Sequence, residues 1–169
     1  MYSTKTKIYN IPLSDIKEDL RIAPSDTTYD NQLNRLVKSA IHIAESYTGF
    51  DLVPTITHLY DYDFAGDTYF INQPLANVTG VTDGVNQITG YTIMYKHFGT
   101  TIQFNKSIDV KQLKISYTTG GVLPPDVQRA ISIKVAELFD VDVNGYTQGL
   151  QATQAFERLL STHRNYIYN

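Results

Sequence analysis

Apolar positions along this chain change period twice. From about Thr28, the residues Leu33, Leu36, Val37, Ala40, Ile41, Ala44 and Tyr47 recur at i, i+3, i+4, the stripe of a helix with one buried face. Gly49 supplies its stop, because the left-handed residue just past a helix end is usually Gly. Ahead of it, Ser14 reads as the N-cap of a short helix through Leu20, with Asp15 near the positive end, and IAPSDTTYD reads as a loop. From Leu52 to about Thr119 the segments TITHLYDYDF, TYFIN, ANVTGV, GYTIMYK, TTIQF and LKISYTT are rich in β-branched and aromatic residues, punctuated by Gly, Asn, Asp and Pro. They predict five or six short strands with turns at Asp83-Gly84 and Phe98-Gly99, and Lys114, Ile115, Ser116 and Tyr117 alternate as on a strand with one wet face.

The helical period returns after Gly120, Gly121 and Pro124-Pro125, since Pro suits a first helical position. Val127, Ala130, Ile131, Val135 and Leu138 form a buried stripe, widened by Ile133 and Phe139. A last helix is expected from near Gln151 to His163 with Ala152, Ala155, Phe156, Leu159 and Leu160 inward. Neither pair of flanking helices hides its stripe alone, so the pattern predicts an α+β fold. N- and C-terminal helices pack as a small bundle, with an antiparallel β region inserted between them. The expected organisation is a single domain over 1–169: helices at about 14–49 and 124–163, the β insertion at about 52–119, and a tail at 164–169.

Composition narrows the chemistry. With 169 residues, 42% hydrophobic and 18% charged, the chain is able to bury a core and is not a disordered polymer. It has no Cys, which excludes disulfides, a thiol nucleophile and cysteinyl metal sites. Neither an apolar run long enough for a bilayer nor the apolar stretch of a signal peptide is seen in the opening residues. The expectation is a soluble, intracellular protein with no membrane partner. A net charge of −3 argues against general nucleic-acid binding, which needs clustered cations. The 13 Tyr and 7 Phe suit half-buried strands and protein interfaces.

Several constellations invite a chemical reading. Asp140-Val-Asp142-Val-Asn144-Gly145 matches the opening of a calcium loop between two predicted helices, but its twelfth position is Gln151, which lacks the closing bidentate carboxylate. The plainer reading is a helix end followed by an Asn-Gly turn. A poorer echo, Asp61 to Asp67, has Ala65 at position five and Asn72 at twelve. His42, His58, His97 and His163 are scattered, and His42 with Glu45 reads as an ordinary helix-surface pair. No nucleophile elbow, Walker loop or dinucleotide fingerprint occurs, while the Gly120-Gly121 joint reads as a flexible strand-to-helix connection. Catalytic, cofactor and metal residues are therefore expected to be none. The alternatives are a calcium-binding helix-loop-helix module centred on Asp140–Gly145 and a small carboxylate-based hydrolase.

The order LSDIKEDLRI, an acidic loop, LNRLVKSAIHIAESYTGFDL with Tyr47-Thr48-Gly49 at the helix end, then LKISYTTGG and LPPDVQRAISIKVAELFD, resembles the head-tail connector (adaptor, or head-completion) proteins of tailed bacteriophages. The resemblance spans roughly residues 13–60 and 113–140. It implies a structural virion protein without catalysis or cofactor, made in the host cytoplasm and placed at the head-tail interface. Its subunits would form a twelvefold homo-oligomeric ring under the portal protein, extend the DNA channel and dock a stopper or tail-completion protein. DNA would pass without specific binding, as suits a mildly acidic ring. The C-terminal Tyr166, Ile167 and Tyr168 are expected to be partner-binding, since Tyr is an enriched interface anchor.

Overall fold

The stripe at 33–47 folds as predicted. In the computed structural model, which describes residues 1–96, 98–121, 123–144 and 150–164, helix α2 runs Asp30–Thr48 and buries Leu33, Leu36, Val37, Ala40, Ile41 and Ala44. Gly49 ends it at φ 78°, and its N–H donates to Glu45 O at 2.8 Å. The short helix α1 is Leu13–Asp19, not capped by Ser14: Pro12 holds the cap position, and the Ser14 hydroxyl donates instead to Asp15 Oδ1 at 2.9 Å. A hydroxyl already inside the first turn points along the helix and cannot reach back to the free N–H groups. Helix α3 (Pro125–Asn144) buries Val127, Ala130, Ile131 and Val135, and α4 (Leu150–Leu160) buries Phe156 and Leu160 before a 3-10 turn, Ser161–His163.

These helices form one compact unit, Tyr9–Leu52 together with the described residues from 123 to 164. Within it α3 packs on α2 and α4, and α1 touches α2 and α3. The N- and C-terminal helices are thus brought together in one unit, as the stripes required.

The second unit, Met1–Ile8 with Val53–Gly121, is an antiparallel five-stranded sheet. Two long strands replace four of the expected short ones. TITHLYDYDF and TYFIN run on as β2 (Thr55–Ile71), and TTIQF and LKISYTT join as β5 (Gly99–Thr119). With β3 (Asn77–Thr82) and β4 (Tyr91–Lys96) the insertion contributes four strands, and the fifth, β1 (Tyr2–Lys7), comes from the chain's start. The order is β1-β2-β5-β3, and β4 pairs with the other half of β5.

The long ribbon breaks register once. Gly66 pairs with Ile108 but Thr68 with Gln103, so β5 spends extra residues there, and Asn105 N–H donates to Gly90 O at 2.9 Å. Such an excess bends a ribbon sharply. Consequently Tyr69, Ile71, Ile102 and Phe104 from one end join Leu59, Leu113, Ile115 and Tyr117 from the other in a single apolar cluster. Burial, with Asp61 nearby, pushes the Tyr69 hydroxyl up to about 12.

Where β5 leaves the sheet, Gly120 takes φ 74°, and a Cβ there would run into the Val53 carbonyl. Gly121 meets nothing within 4 Å. The joint predicted as flexible is therefore a specified turn at its first glycine and open only at its second.

Candidate assembly surfaces

On the sheet, Ile56, His58, Tyr60 and Tyr62 share the face of β2 that the apolar cluster leaves free. Tyr2 of β1 lies 5.9 Å from Tyr60, centroid to centroid, and Lys114 sits over the Tyr60 ring at 5.6 Å. His58 Nδ1 is 2.8 Å from Ser116 Oγ, directly across the β2–β5 ladder. A nucleophile and base at hydrogen-bond distance would interest an enzymologist. On this open face, however, they are a cross-strand pair with Thr4 and Tyr60 as lateral neighbours rather than a carboxylate.

At the β4–β5 hairpin a second patch forms. Phe70, Thr101 and Met94 are a registered row across β2, β5 and β4, so they share one face. Phe70 is 53% exposed, Met94 39% and Phe98 45%. Gly99 makes this possible, because a Cβ there would lie 2.5 Å from Phe70 Cζ.

In the helical unit a cleft of about 380 Å³ between α1 and α3 is lined by Asp15, Glu18, Asp19, Pro125, Gln128, Arg129 and Ser132. Arg129 Nη1 donates to Asp19 Oδ1 at 2.8 Å and closes one side. Hydrogen bonds from Thr28 hold Asp26 low, those from Asn86 and Val85 hold Asp83 low, and the bond from His163 holds Asp126 low. Carboxyl groups kept ionised are anchors; a general acid would need the opposite shift.

The end of the helical unit carries the links that sequence reading missed. His163 Nε2 meets Asp126 Oδ2 at 2.7 Å, and the Arg164 guanidinium lies 5.1 Å from the Tyr47 ring centroid. The Tyr47 hydroxyl donates to Glu157 O at 3.4 Å. The available signal was Asp126 itself, an acid in the first turn after a Pro pair, where a carboxylate is favoured by the helix dipole.

The calcium reading meets a specific obstacle. Asp140, Asp142 and Asn144 lie within α3, which runs on to Asn144. The run of α3 as far as Asn144 stands where a calcium site would need the open backbone of a loop. Gly145 lies outside the described residues, and of the Gln151 side chain nothing is described. Asp61 and Asp63 belong to β2 and not to a loop. Glu45 is buried and accepts the Leu52 N–H at 3.0 Å, while His42 is exposed. Among the described residues no group of three or more His, Asp or Glu is placed to hold a metal, and no helix is long and apolar enough to cross a membrane. Tyr166, Ile167 and Tyr168 lie outside the described residues, as does His97.

No curated protein sequence matches the chain. Among solved structures it is similar to a chain in the virion of a native gene transfer agent particle, at TM-score 0.79 and 17% identity, covering 100% of this chain and 98% of that one. It is likewise similar to chains in two neck structures of such particles. One is from an empty particle computed with C6 symmetry, at TM-score 0.77 and 16% identity, covering 98% and 97%. The other is from a native particle computed with C12 symmetry, at TM-score 0.70 and 16% identity, again covering 98% and 97%. At such identities the likeness is one of fold. The decisive match is to the model of the head completion proteins, which takes in residues 11–158, from before α1 to within α4, and by it this chain belongs to the head completion protein family.

Proposed function

We propose that the protein is a structural component of the virion neck. In this reading its copies form a ring under the portal protein, lengthen the DNA channel and offer a platform to the stopper or tail. The observation that carries the reading is the family match over residues 11–158. It is supported by the shared fold with chains of particle necks solved under C6 and C12 symmetry, since a ring needs each copy to present two different surfaces to its neighbours. Twelve copies, acting each as one domain, is the stoichiometry proposed.

The surfaces suit this role better than they suit catalysis. Exposed Tyr2, Tyr62, Phe70, Tyr95 and Phe98 supply large amphipathic or apolar contact area. A net charge of −3 suits a channel that DNA traverses without sticking, because binding by counterion release needs an excess of cations. The segment with Tyr166, Ile167 and Tyr168 is proposed as a docking element.

Native mass spectrometry of the chain co-expressed with the portal subunit of the same genome tests this. One copy per portal subunit is the expected result. A chain that stays alone beside an intact portal ring would overturn the reading. Removing residues 165–169 is expected to leave the melting temperature nearly unchanged and to weaken assembly.

A further inference from the structure

We propose that Ser161–His163 and Arg164 form a latch that holds the end of the last helix on α2 and α3 and so fixes the point at which the chain leaves the helical unit. The consequence for assembly rests on the reading above that this segment docks on a partner; the latch itself does not.

Two consecutive side chains grip two different helices. His163 reaches α3, where its Nε2 lies 2.7 Å from Asp126 Oδ2. An ionised carboxylate only accepts, so Nε2 carries the proton and donates. Asp126 is itself held in place, because its Oδ1 accepts the Val127 N–H at 3.0 Å. The next residue, Arg164, lays its guanidinium over Tyr47 of α2 at 5.1 Å. Tyr47 is fixed in turn by its hydroxyl on Glu157 O and by an edge contact with Phe156, centroids 6.1 Å apart, and Phe156 is buried. The 3-10 turn is closed by Ser161 Oγ donating to Arg158 O at 2.8 Å.

Among the described residues Asp126 of α3 faces the imidazole, and Arg164 follows it in sequence. Helix α4 carries Glu157 and Arg158 one turn or more back, both exposed. Exposed pairs of this kind contribute little to global stability. Their combined effect is local. A terminal turn without anchors frays, whereas one gripped on successive residues stays on the helices it touches, here up to an extended Arg164 at φ −75°, ψ 132°. The family match ends at residue 158, so the latch lies beyond the part that defines the family.

Trypsin tests it on the full chain, because the bond after Arg164 is a substrate only when the latch is open. His163→Ala is expected to speed cleavage at that bond about fivefold over the unsubstituted chain, with cleavage after Arg35 and Lys38 in α2 unchanged. His163→Gln, whose amide is able to donate to Asp126, should return most of the protection. Equal rates in His163→Ala and the unsubstituted chain would overturn the latch. So would a parallel rise at the α2 sites, which would mean general unfolding. If removing 165–169 leaves portal assembly intact, the docking reading falls and the cleavage ratio alone decides the latch.

Discussion

The two units reach order by different means. In the helical unit each element buries one stripe, and polar side chains tie element to element: Lys17 to Asp30 at 2.6 Å, Arg129 to Asp19 at 2.8 Å, His163 to Asp126 at 2.7 Å. In the sheet unit the ladder and one apolar cluster dominate, with cross-strand and local side-chain hydrogen bonds such as His58–Ser116 and those of the Asp83 turn. Twelve of the 17 carboxyl residues belong to the helical unit, so ions and acidity act mainly there. The difference teaches where each unit is vulnerable: one through its ion pairs, the other through its backbone geometry.

Core truncation sharpens this most strongly. Ile131→Ala in α3 and Ile115→Ala in β5 each remove a fully buried side chain, and each is expected to cost about 2–5 kcal/mol by chemical denaturation. Hydrogen exchange should then quicken chiefly in α2–α4 for the first and in β2–β5 for the second. Uniform acceleration across the whole chain in both variants would remove the distinction between the units.

Backbone geometry comes next. Gly120→Ala combines a left-handed φ of 74° with a clash against the Val53 carbonyl, which does not yield as a flexible side chain would. A loss of about 3 kcal/mol is expected, whereas Gly121→Ala should stay within about 0.5 kcal/mol. Similar melting temperatures for the two variants would show that this joint is not specified.

The same contrast explains what was legible in the sequence. Helical stripes at 33–47 and 127–138 are set by side chains three and four apart, so local pattern revealed them. The sheet was legible as residue type but not as layout. Two pairs of segments merged into β2 and β5 because the polar run near Asp67 and the residues 105–112, which look like turns, are the bent and exposed middle of one ribbon. Strand β1 escaped notice because YSTKTK on an edge is exposed almost throughout and has no apolar alternation. The calcium-like spacing at Asp140–Asn144 falls on the end of a helix, since α3 continues to Asn144, as its plainer reading had it. Of the surfaces, the Tyr-rich character was visible in composition, while the His163–Asp126 pair joins residues far apart in sequence, and only its acid, in the first turn of α3, had a local signature.

Among the described residues Lys17 is a buried cation. Its ammonium contacts Asp30 Oδ1 and donates to Pro24 O at 3.3 Å, bridging the turn between α1 and α2, with its side chain 5% exposed and that of Asp30 32%. Lys17→Met keeps the apolar stem and strands the carboxylate. Because Asp30 still reaches solvent, the loss expected is about 1–2 kcal/mol, below that of a fully buried pair. An unchanged or raised melting temperature would show that packing of the stem, not the charge, holds this turn.

The smallest effect separates the units by pH. The bond from His163 holds Asp126 below the ordinary carboxylate value of 3.8 in the native state. A carboxyl group with a depressed native pKa stabilises the fold fully above its unfolded pKa, and that contribution is lost as pH falls through the lowered native value. The pair is partly exposed, Asp126 at 41% and His163 at 30%, so its worth is at most about 1 kcal/mol. Asp126→Asn should therefore lower stability slightly at neutral pH and flatten the decline below about pH 4. Since this linkage lies in the helical unit, hydrogen exchange on acidification should rise near α3 and the Ser161–His163 turn in the unsubstituted chain and change less with pH there in Asp126→Asn. An Asp126→Asn variant whose acid profile overlays that of the unsubstituted chain would remove this carboxylate from the account.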